Sequence, residues 1–126
     1  MLISKIEDKN RGYNMRICFD LDETLCTGYP YEDSKPILES IAVVNRLKAN
    51  GHVIIIHTAR GMSSKQGNIG KIVKDIGKLT LEQLDSWGVE YDEIVFGKPS
   101  ADFYVDDKAI NAALIPQLER ILRSRL

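Results

Sequence analysis

The sequence predicts an α/β protein built around a mainly parallel sheet. Short apolar runs typical of buried strands alternate with segments of helical spacing, which is the pattern of a parallel α/β sheet. Residues 52–57 are apolar on both faces, as expected for a strand covered on both sides. The 126 residues, 44% of them hydrophobic, suffice for one domain that needs no disulfide or structural metal. The predicted strands are 15–20, 52–57, 92–96 and 102–106.

The first half of the chain divides into an extension, a strand and a helix. Residues 1–14 are polar and without a clear period, so we interpret them as an N-terminal extension to a single domain over 15–126. After the first strand, residues 21–35 are rich in turn-forming types. Pro36 suits the first turn of a helix, and Asn50-Gly51 is a typical helix end.

The second half of the chain contains several glycines. A basic, glycine-rich stretch covers residues 60–78, and Thr80 with Gln83 has the spacing of a capping box that begins a helix. Residues 108–126 show a helical pattern with a break at Pro116. Only residues 97–101 separate the last two predicted strands, whereas a parallel crossover takes a dozen residues or more. Either the 92–96 strand is not a regular parallel member of the sheet, or a connecting helix is absent.

Charge and composition exclude several classes of protein. Seventeen basic against 18 acidic residues give a net charge of -1, which argues against a general nucleic-acid binder. The longest apolar run, Val53–Ile56, is far shorter than the roughly 20 residues of a membrane span. The N-terminus has no signal-peptide pattern, and Cys18 and Cys26 form neither a disulfide framework nor a zinc-type ligand pair. We therefore expect a cytoplasmic globular protein.

Polar residues follow each predicted strand. Asp20 and Asp22 lie two positions apart just past the first strand, and carboxylates so placed can hold Mg²⁺ or attack phosphorus. Such a pair alone is also compatible with a solvated loop. Thr58 follows the second strand, Lys98 the third and Asp106-Asp107 the fourth. Because ligands bind at the carboxyl edge of parallel sheets, these groups together indicate phosphoryl-transfer chemistry.

These motifs, in this order, resemble the haloacid dehalogenase-like (HAD) superfamily of phosphohydrolases over residues 15–115. The resemblance implies that Asp20 is the nucleophile, Asp22 the general acid and base, and Thr58 and Lys98 the groups that hold the phosphoryl oxygens. It further implies that Thr24 lies beside the substrate. The wider pattern, with Thr58-Ala59-Arg60-Gly61 and Gly97-Lys98-Pro99, is most similar to small HAD phosphatases of capsule and surface-polysaccharide biosynthesis.

The resemblance also implies a three-layer Rossmann-like core and a magnesium cofactor. Asp20, Asp22 and Asp107 would bind Mg²⁺, with Asp106 close by and Asn111 in support; a shift of one residue would exchange Asp106 and Asp107. The gaps at 25–35 and 60–91 are too short for a separate cap domain. We therefore expect a neighbouring subunit of a homo-oligomer, or the 60–78 loop, to close the site over a small substrate.

The expected activity is Mg²⁺-dependent hydrolysis of a small phosphorylated metabolite, such as a sugar phosphate, through a phosphoaspartate. The alternatives are a phosphatase of a phosphoprotein or nucleic-acid end, a receiver-like phospho-acceptor module, and a non-catalytic binding module. Arg60 has two interpretations: a clamp for a phosphate or sugar carboxylate, or a solvent-facing loop arginine. The 60–78 loop either attracts an anionic substrate or is simply a mobile solvated surface.

Overall fold

The structure, a computed structural model, describes residues 14–124, so the extension expected over 1–14 lies almost entirely outside the described residues. Its strands are β1 (Arg16–Asp20), β2 (Cys26–Thr27), β3 (Lys35–Pro36), β4 (Val53–Thr58) and β5 (Glu93–Phe96). Its helices are α1 (Leu38–Ala49), α2 (Ile69–Ile72), α3 (Lys78–Ser86) and α4 (Leu118–Ser124). A π-helical segment, Val73–Gly77, joins α2 to α3, and 3₁₀ turns cover Tyr31–Asp33 and Ala112–Gln117.

A three-stranded parallel sheet in the order β1-β4-β5 forms the centre of the fold. β4 pairs in parallel with β1 on one side and with β5 on the other. This confirms the predicted α/β class with a mainly parallel, Rossmann-like sheet. It also resolves the doubt over 92–96, because β5 is a regular parallel strand.

The hydrophobic core lies against one face of this sheet. Phe19, Ile54 and Ile56 point to that face and are almost fully buried, as period-two alternation requires. Helix side chains that include Val44 and Leu84 complete the same cluster. The opposite face is more open within the described residues, where Cys18 is exposed and Val95 is 44% exposed.

The helix predicted to begin at Thr80 begins earlier. Asn68 caps it by accepting a hydrogen bond from the Lys71 N–H at 3.0 Å, and helical backbone then continues through the π segment to Ser86. The capping-box interpretation of Thr80 and Gln83 is therefore wrong: both lie inside the helix, and the Thr80 hydroxyl bonds the Ile76 carbonyl one turn back. The glycines of this stretch did not prevent helix formation, because tertiary contacts outweigh a propensity cost of about 1 kcal/mol each.

The strand predicted over 102–106 does not form in the described chain. These residues pair with no strand, and Phe103 and Val105 are 87% and 100% exposed. The sequence was misleading because their apolar types match a strand, but the short 97–101 link constrains where the following residues can go. Residues 99–109 are exposed throughout.

The C-terminal helix is shorter than the predicted 108–126. A 3₁₀ turn containing Pro116 precedes α4, and Asn111 caps that turn through the Ala113 N–H at 2.8 Å. Proline lacks the N–H that an α-helical interior requires, which explains why regular α-helix begins only after it. No helix within residues 14–124 is long and apolar enough to cross a membrane.

Candidate active site

A tight turn after β1 fixes the positions of Asp20 and Asp22. The Leu21 carbonyl accepts hydrogen bonds from the N–H groups of Thr24, Leu25 and Cys26 at 3.2, 2.8 and 3.3 Å. Leu21 and Leu25 are completely buried, so the turn is anchored to the core by its side chains as well as its backbone. Asp20 comes directly before Leu21, and Asp22 lies between Leu21 and Leu25. The turn therefore holds both carboxylates at the carboxyl edge of the sheet.

Lys98 reaches Asp20 from the end of β5. Its Nζ lies 3.4 Å from Asp20 Oδ1, and its backbone N–H, like that of Gly97, bonds the Thr58 carbonyl. Gly97 adopts a φ of +104°, and a Cβ there would lie 2.7 Å from Ile69 Cδ1. Only glycine suits that position, so this turn fixes the lysine beside the aspartate.

Arg60 forms an ion pair with Asp22. Its Nε lies 3.2 and 3.0 Å from Asp22 Oδ1 and Oδ2, and its Nη2 lies 2.9 Å from Oδ1. The Arg60 side chain is fully buried, whereas that of Asp22 is 29% exposed. The Asp22 carboxylate thus lies between the buried Arg60 guanidinium and the solvent-exposed part of the site.

The remaining N–H groups of Arg60 are also occupied. Nη1 donates to Thr80 Oγ1 at 3.1 Å and to Gln83 Oε1 at 2.6 Å, while Nη2 also lies 3.8 Å from Cys26 Sγ. The guanidinium further stacks against the Tyr31 ring, 4.6 Å from its centroid. All five donors of the guanidinium therefore have protein partners.

This environment fits neither interpretation of Arg60 made from the sequence. It is not a solvent-facing loop residue, since it is 1% exposed. It has no spare N–H group for a phosphate or sugar carboxylate, so a direct substrate contact would require it to leave an existing partner. The geometry favours a role for Arg60 in positioning Asp22.

Thr58 lies at the end of β4 and is completely buried. Its hydroxyl oxygen accepts a hydrogen bond from the Arg60 backbone N–H at 3.0 Å, so Thr58 also fixes the start of the Arg60 loop. Thr24 lies in the turn after β1 and is half-buried. Lys98 thus contacts both Asp20 and Thr58 directly, and Asp22 is linked to Thr58 through Arg60.

Burial and nearby charges shift several titrating groups around this site. Burial raises the pKa of the Cys26 thiol to about 12, with the Asp22 charge adding to the effect. Burial, and then the Asp22 charge, also raises the pKa of Tyr31. His57, on the open face of the sheet, has a lowered pKa because of burial and the nearby Lys98 charge. Cys26 therefore stays protonated and packs within the hydrophobic core.

The predicted acidic ligands at the end of the fourth segment do not form a metal-binding group with Asp20 and Asp22 among the described residues. Asp106 and Asp107 are exposed, and Asp106 Oδ1 accepts the Lys108 N–H at 2.8 Å. Asn111 is engaged in its capping contact. Across residues 14–124, no group of three or more metal-binding side chains gathers within one chain. The metal-binding role of Asp107 and Asp106 stays a prediction.

The basic stretch after Arg60 is partly ordered by helix rather than being one long loop. Lys65 pairs with Asp75 at 3.0 Å, so one charge of the stretch is neutralised internally. A surface concavity occurs there, lined by Ser64, Lys65, Gln66, Lys71, Lys74 and Asp75. An anionic substrate remains a prediction for this surface.

Sequence reasoning missed the polar groups that surround Arg60. Thr80 and Gln83 are three positions apart, which places them on one face of a helix, and both are buried. Two buried polar side chains on a core-facing helical surface require buried partners, but the sequence contained only the three-residue spacing and not the burial. Tyr31, whose ring contacts Arg60, lies in a turn where the sequence has no periodic pattern.

Fold and site together define an α/β protein with paired carboxylates at the carboxyl edge of a parallel sheet. The chain is similar to the crystal structure of an MCSG target protein from Vibrio cholerae, with 34% sequence identity and a TM-score of 0.80. The match covers 86% of this chain and 94% of the other. The chain therefore belongs to the same protein family as that Vibrio cholerae protein. Neither a family model nor a curated protein matches the sequence.

Proposed function

We propose that this protein is a HAD-type phosphatase that hydrolyses a phosphoric monoester through an aspartyl-phosphate. The observation that supports this most directly is the contact between Asp20 and Lys98 at 3.4 Å, with Asp22 two residues further on. A half-exposed carboxylate beside a fixed ammonium group suits attack on a phosphoryl group, since the cation offsets repulsion from the phosphoryl oxygens.

In the first step, an Asp20 carboxylate oxygen forms a bond to phosphorus while the bond to the substrate oxygen breaks. Asp22 gives a proton to the departing oxygen, which leaves as an alcohol. In the second step, water attacks the phosphorus, its proton passes to Asp22, and the Asp20 carboxylate and inorganic phosphate are released. Lys98 lies beside the phosphoryl group in both steps.

The contacts of Asp22 indicate which of its oxygens would carry the proton. Oδ1 faces Arg60 Nε and Nη2 and also lies 3.5 Å from Cys26 Sγ, whereas Oδ2 contacts Arg60 Nε alone. The second lone pair of Oδ2 is therefore the better proton site. Arg60 fixes the carboxylate plane so that this oxygen keeps one orientation.

Oxygen donors at the turn after β1 suit magnesium. The residues that would hold Mg²⁺ are Asp20, whose side chain is 36% exposed, and Asp22 through its backbone carbonyl, with Asp107 as a further ligand. When bound, the ion supplies positive charge against the carboxylate and phosphoryl oxygens.

The surroundings of the site are consistent with a small substrate reached from solvent. Residues 21–37 form turns and a two-residue β-ladder, and residues 59–92 form a turn and a helix, so neither described segment is a separate cap domain. By its resemblance, we propose a cytoplasmic enzyme that acts on a sugar phosphate of surface-polysaccharide biosynthesis. The same open edge would accept a phosphorylated macromolecule.

A substrate screen tests the proposal. Purified protein is incubated with sugar phosphates, nucleotides and phosphopeptides, with Mg²⁺ or with chelator, and released phosphate is measured. The expected result is Mg²⁺-dependent release from at least one class, absent in Asp20→Asn. Phosphate release that is equal in wild type and Asp20→Asn would overturn the proposal, as would no release from any class.

A further inference from the structure

Residues 99–109 form an exposed arm between two anchored points. Before it, Lys98 is fixed by its bond to the Thr58 carbonyl at 3.1 Å; after it, Ile110 packs against the core. Every residue of the arm is exposed, including Phe103 at 87% and Val105 at 100%. Apolar side chains exposed in a row mark an interaction surface.

The sheet offers a matching surface at its β1 edge. Among the described residues β1 pairs with β4 alone, so the backbone N–H and C=O groups on its other side have no strand partner. Such an edge is a template for an added strand from another chain.

The arm of a chain is too short to fill the β1 edge of the same chain in parallel. To end beside Asp20, the strand 102–106 would begin level with Arg16, at the far end of β1. From Lys98, just past the end of β5, that point is about 14 Å across three strand spacings and about 16 Å down the sheet, or about 21 Å in a straight line. Four residues from Lys98 to Asp102 span at most about 14 Å. An antiparallel strand would be reachable, but it would carry Asp106 away from Asp20.

We propose that the 99–109 arm adds as a parallel strand to the β1 edge of a second copy of this chain. In the register that sets Asp106 beside Asp20, Phe103 and Val105 fall beside Ile17 and Phe19. Those β1 residues face the core side of the sheet, so the most exposed apolar side chains of the arm become buried.

Charge complementarity supports the same register. It sets the arm's Asp102 beside Arg16 of the receiving chain, whose side chain is 61% exposed and pairs with Glu93 at 3.0 Å. A one-residue slip would turn Phe103 and Val105 to the open face and separate Asp102 from Arg16.

The area is sufficient for a stable dimer. Phe103 and Val105, the two side chains that turn to the core face, together offer about 300 Å² of exposed side chain. Counting the receiving surface and a reciprocal exchange, two dockings would bury about 1,200 Å², the lower end of the range for specific interfaces. Because four residues at each end of the arm reach only about 14 Å, the two subunits must pack directly side by side.

This exchange completes the candidate site, an implication that rests on the proposed function. Asp20 of one chain would lie beside the partner subunit's Asp106, with the partner subunit's Asp107 just past the strand end. Each dimer would contain two composite sites, each with acids from both chains.

An engineered disulfide tests the exchange without any assay of activity. The register sets Tyr104 of the arm opposite Cys18, and adjacent strand Cα atoms are about 5 Å apart, within the range for a disulfide. Tyr104→Cys should therefore form a disulfide-linked dimer through the native Cys18 under mild oxidation. Phe103→Cys, which faces the opposite side, and Tyr104→Cys with Cys18→Ser are the matched controls. A disulfide within a monomer, a cross-link equal in the controls, or a wild-type monomer by light scattering would overturn the exchange.

Mixing two variants tests the composite site, at a Mg²⁺ concentration too low for Asp107→Ala alone to turn over. In a heterodimer of Asp20→Asn and Asp107→Ala chains, one of the two sites has both native acids. Random pairing should restore up to about a quarter of wild-type turnover, whereas sites within single chains would restore none. The two proposals fail separately: a cross-link in a protein without phosphatase activity refutes the proposed function alone. Activity without a cross-link or restoration refutes the exchange alone.

Discussion

Arg60 holds Asp22 through three close N···O contacts of 2.9–3.2 Å across 38 positions of sequence. The guanidinium lies between the turn after β1 and the buried face of α3, where Thr80 and Gln83 accept from it. The candidate acid–base residue is therefore connected through Arg60 to α3. Orientation of Asp22 depends on the packing of that helix.

Replacing Arg60 should cost both stability and activity. Arg60→Met keeps most of the side-chain volume but leaves Asp22, Thr80 and Gln83 without their donor. Breaking a buried ion pair costs roughly 3–5 kcal/mol; because Asp22 is partly exposed, we expect a loss of about 2–3 kcal/mol in the free energy of unfolding. Denaturant titration measures this loss in the free energy of unfolding.

Arg46→Met is the matched control for that substitution. Arg46 makes a similar bidentate contact, with Glu119, but its side chain is 56% exposed, so its removal should change the stability far less than removal of Arg60. Equal losses in the two variants would contradict the role assigned to Arg60. Arg60→Lys, which restores charge without the fork geometry, should recover only part of the stability.

The parts of the fold that were predictable are those with a periodic signal. β1, β4, β5 and α1 follow runs of apolar residues, and Asn50-Gly51 ends the helix as expected, with Gly51 at a φ of +95°. The start of the helix at Ile69 was not predictable in the same way. Its first turns contain glycine and lysine, and its stability comes from contacts with distant residues such as Phe96, which approaches Gly77.

The candidate site was only partly predictable for a related reason. Asp20, Asp22, Thr58 and Lys98 each follow a strand, so sheet topology alone brings them to one edge. The position of Asp107 depends on a strand that the described residues do not form within one chain. Arg60 differs because its burial depends on Thr80 and Gln83, twenty or more positions away.

Asp20→Asn should abolish turnover and leave the fold intact. A carboxamide is nearly the same size as a carboxylate but is a very poor nucleophile, so we expect a loss of about three orders of magnitude or more. The melting temperature should stay close to that of wild type, because the Asp20 side chain is 36% exposed and contacts Lys98 at a long 3.4 Å. Measurable turnover at a tenth of the wild-type rate would refute the covalent mechanism.

Lys98→Met should lower kcat more than it raises KM. The ammonium group lies where negative charge develops on the phosphoryl oxygens, and loss of one such group commonly costs about 100-fold in kcat. Lys78→Met, on an exposed helical position, is the control and should leave both constants unchanged. A change in KM alone would show that Lys98 only binds substrate.

Asp92 should make stability depend on pH at the acid end. Its Oδ1 accepts from Lys48 Nζ at 2.7 Å and its Oδ2 from the Ile54 N–H at 2.8 Å, and these bonds hold the pKa of Asp92 below its ordinary value of 3.8. The lowered pKa stabilises the fold above about pH 4, and this contribution is lost as the pH falls through the folded-state value. Asp92→Asn should therefore be less stable than wild type at pH 7 by about 0.5–1 kcal/mol, a figure reduced for exposure.

Denaturant titrations at pH 7 and pH 3 measure this difference. The gap between wild type and Asp92→Asn should narrow at the lower pH, while Asp85→Asn, on an exposed helical position, should follow wild type at both. A gap that is constant with pH would mean that the Asp92 carboxylate contributes through packing alone.

Removal of divalent cations should abolish activity, and the two acids of the exposed arm should differ in their effect. All of the proposed ligands are oxygens, so Mg²⁺ should restore the activity of a chelated sample.

Asp107→Ala should raise the Mg²⁺ concentration needed for half-maximal activity at least about tenfold. Asp106→Ala should raise this Mg²⁺ concentration less. In the exchanged register Asp106 lies within the strand, beside Asp20, whereas Asp107 lies past the strand end, where the metal would bind. Direct titration of Mg²⁺ by calorimetry, at a protein concentration where light scattering shows a dimer, separates metal binding from turnover. The reverse ranking of the two variants would place the ligand one residue earlier, and equal, unchanged affinities would remove both acids from the metal site.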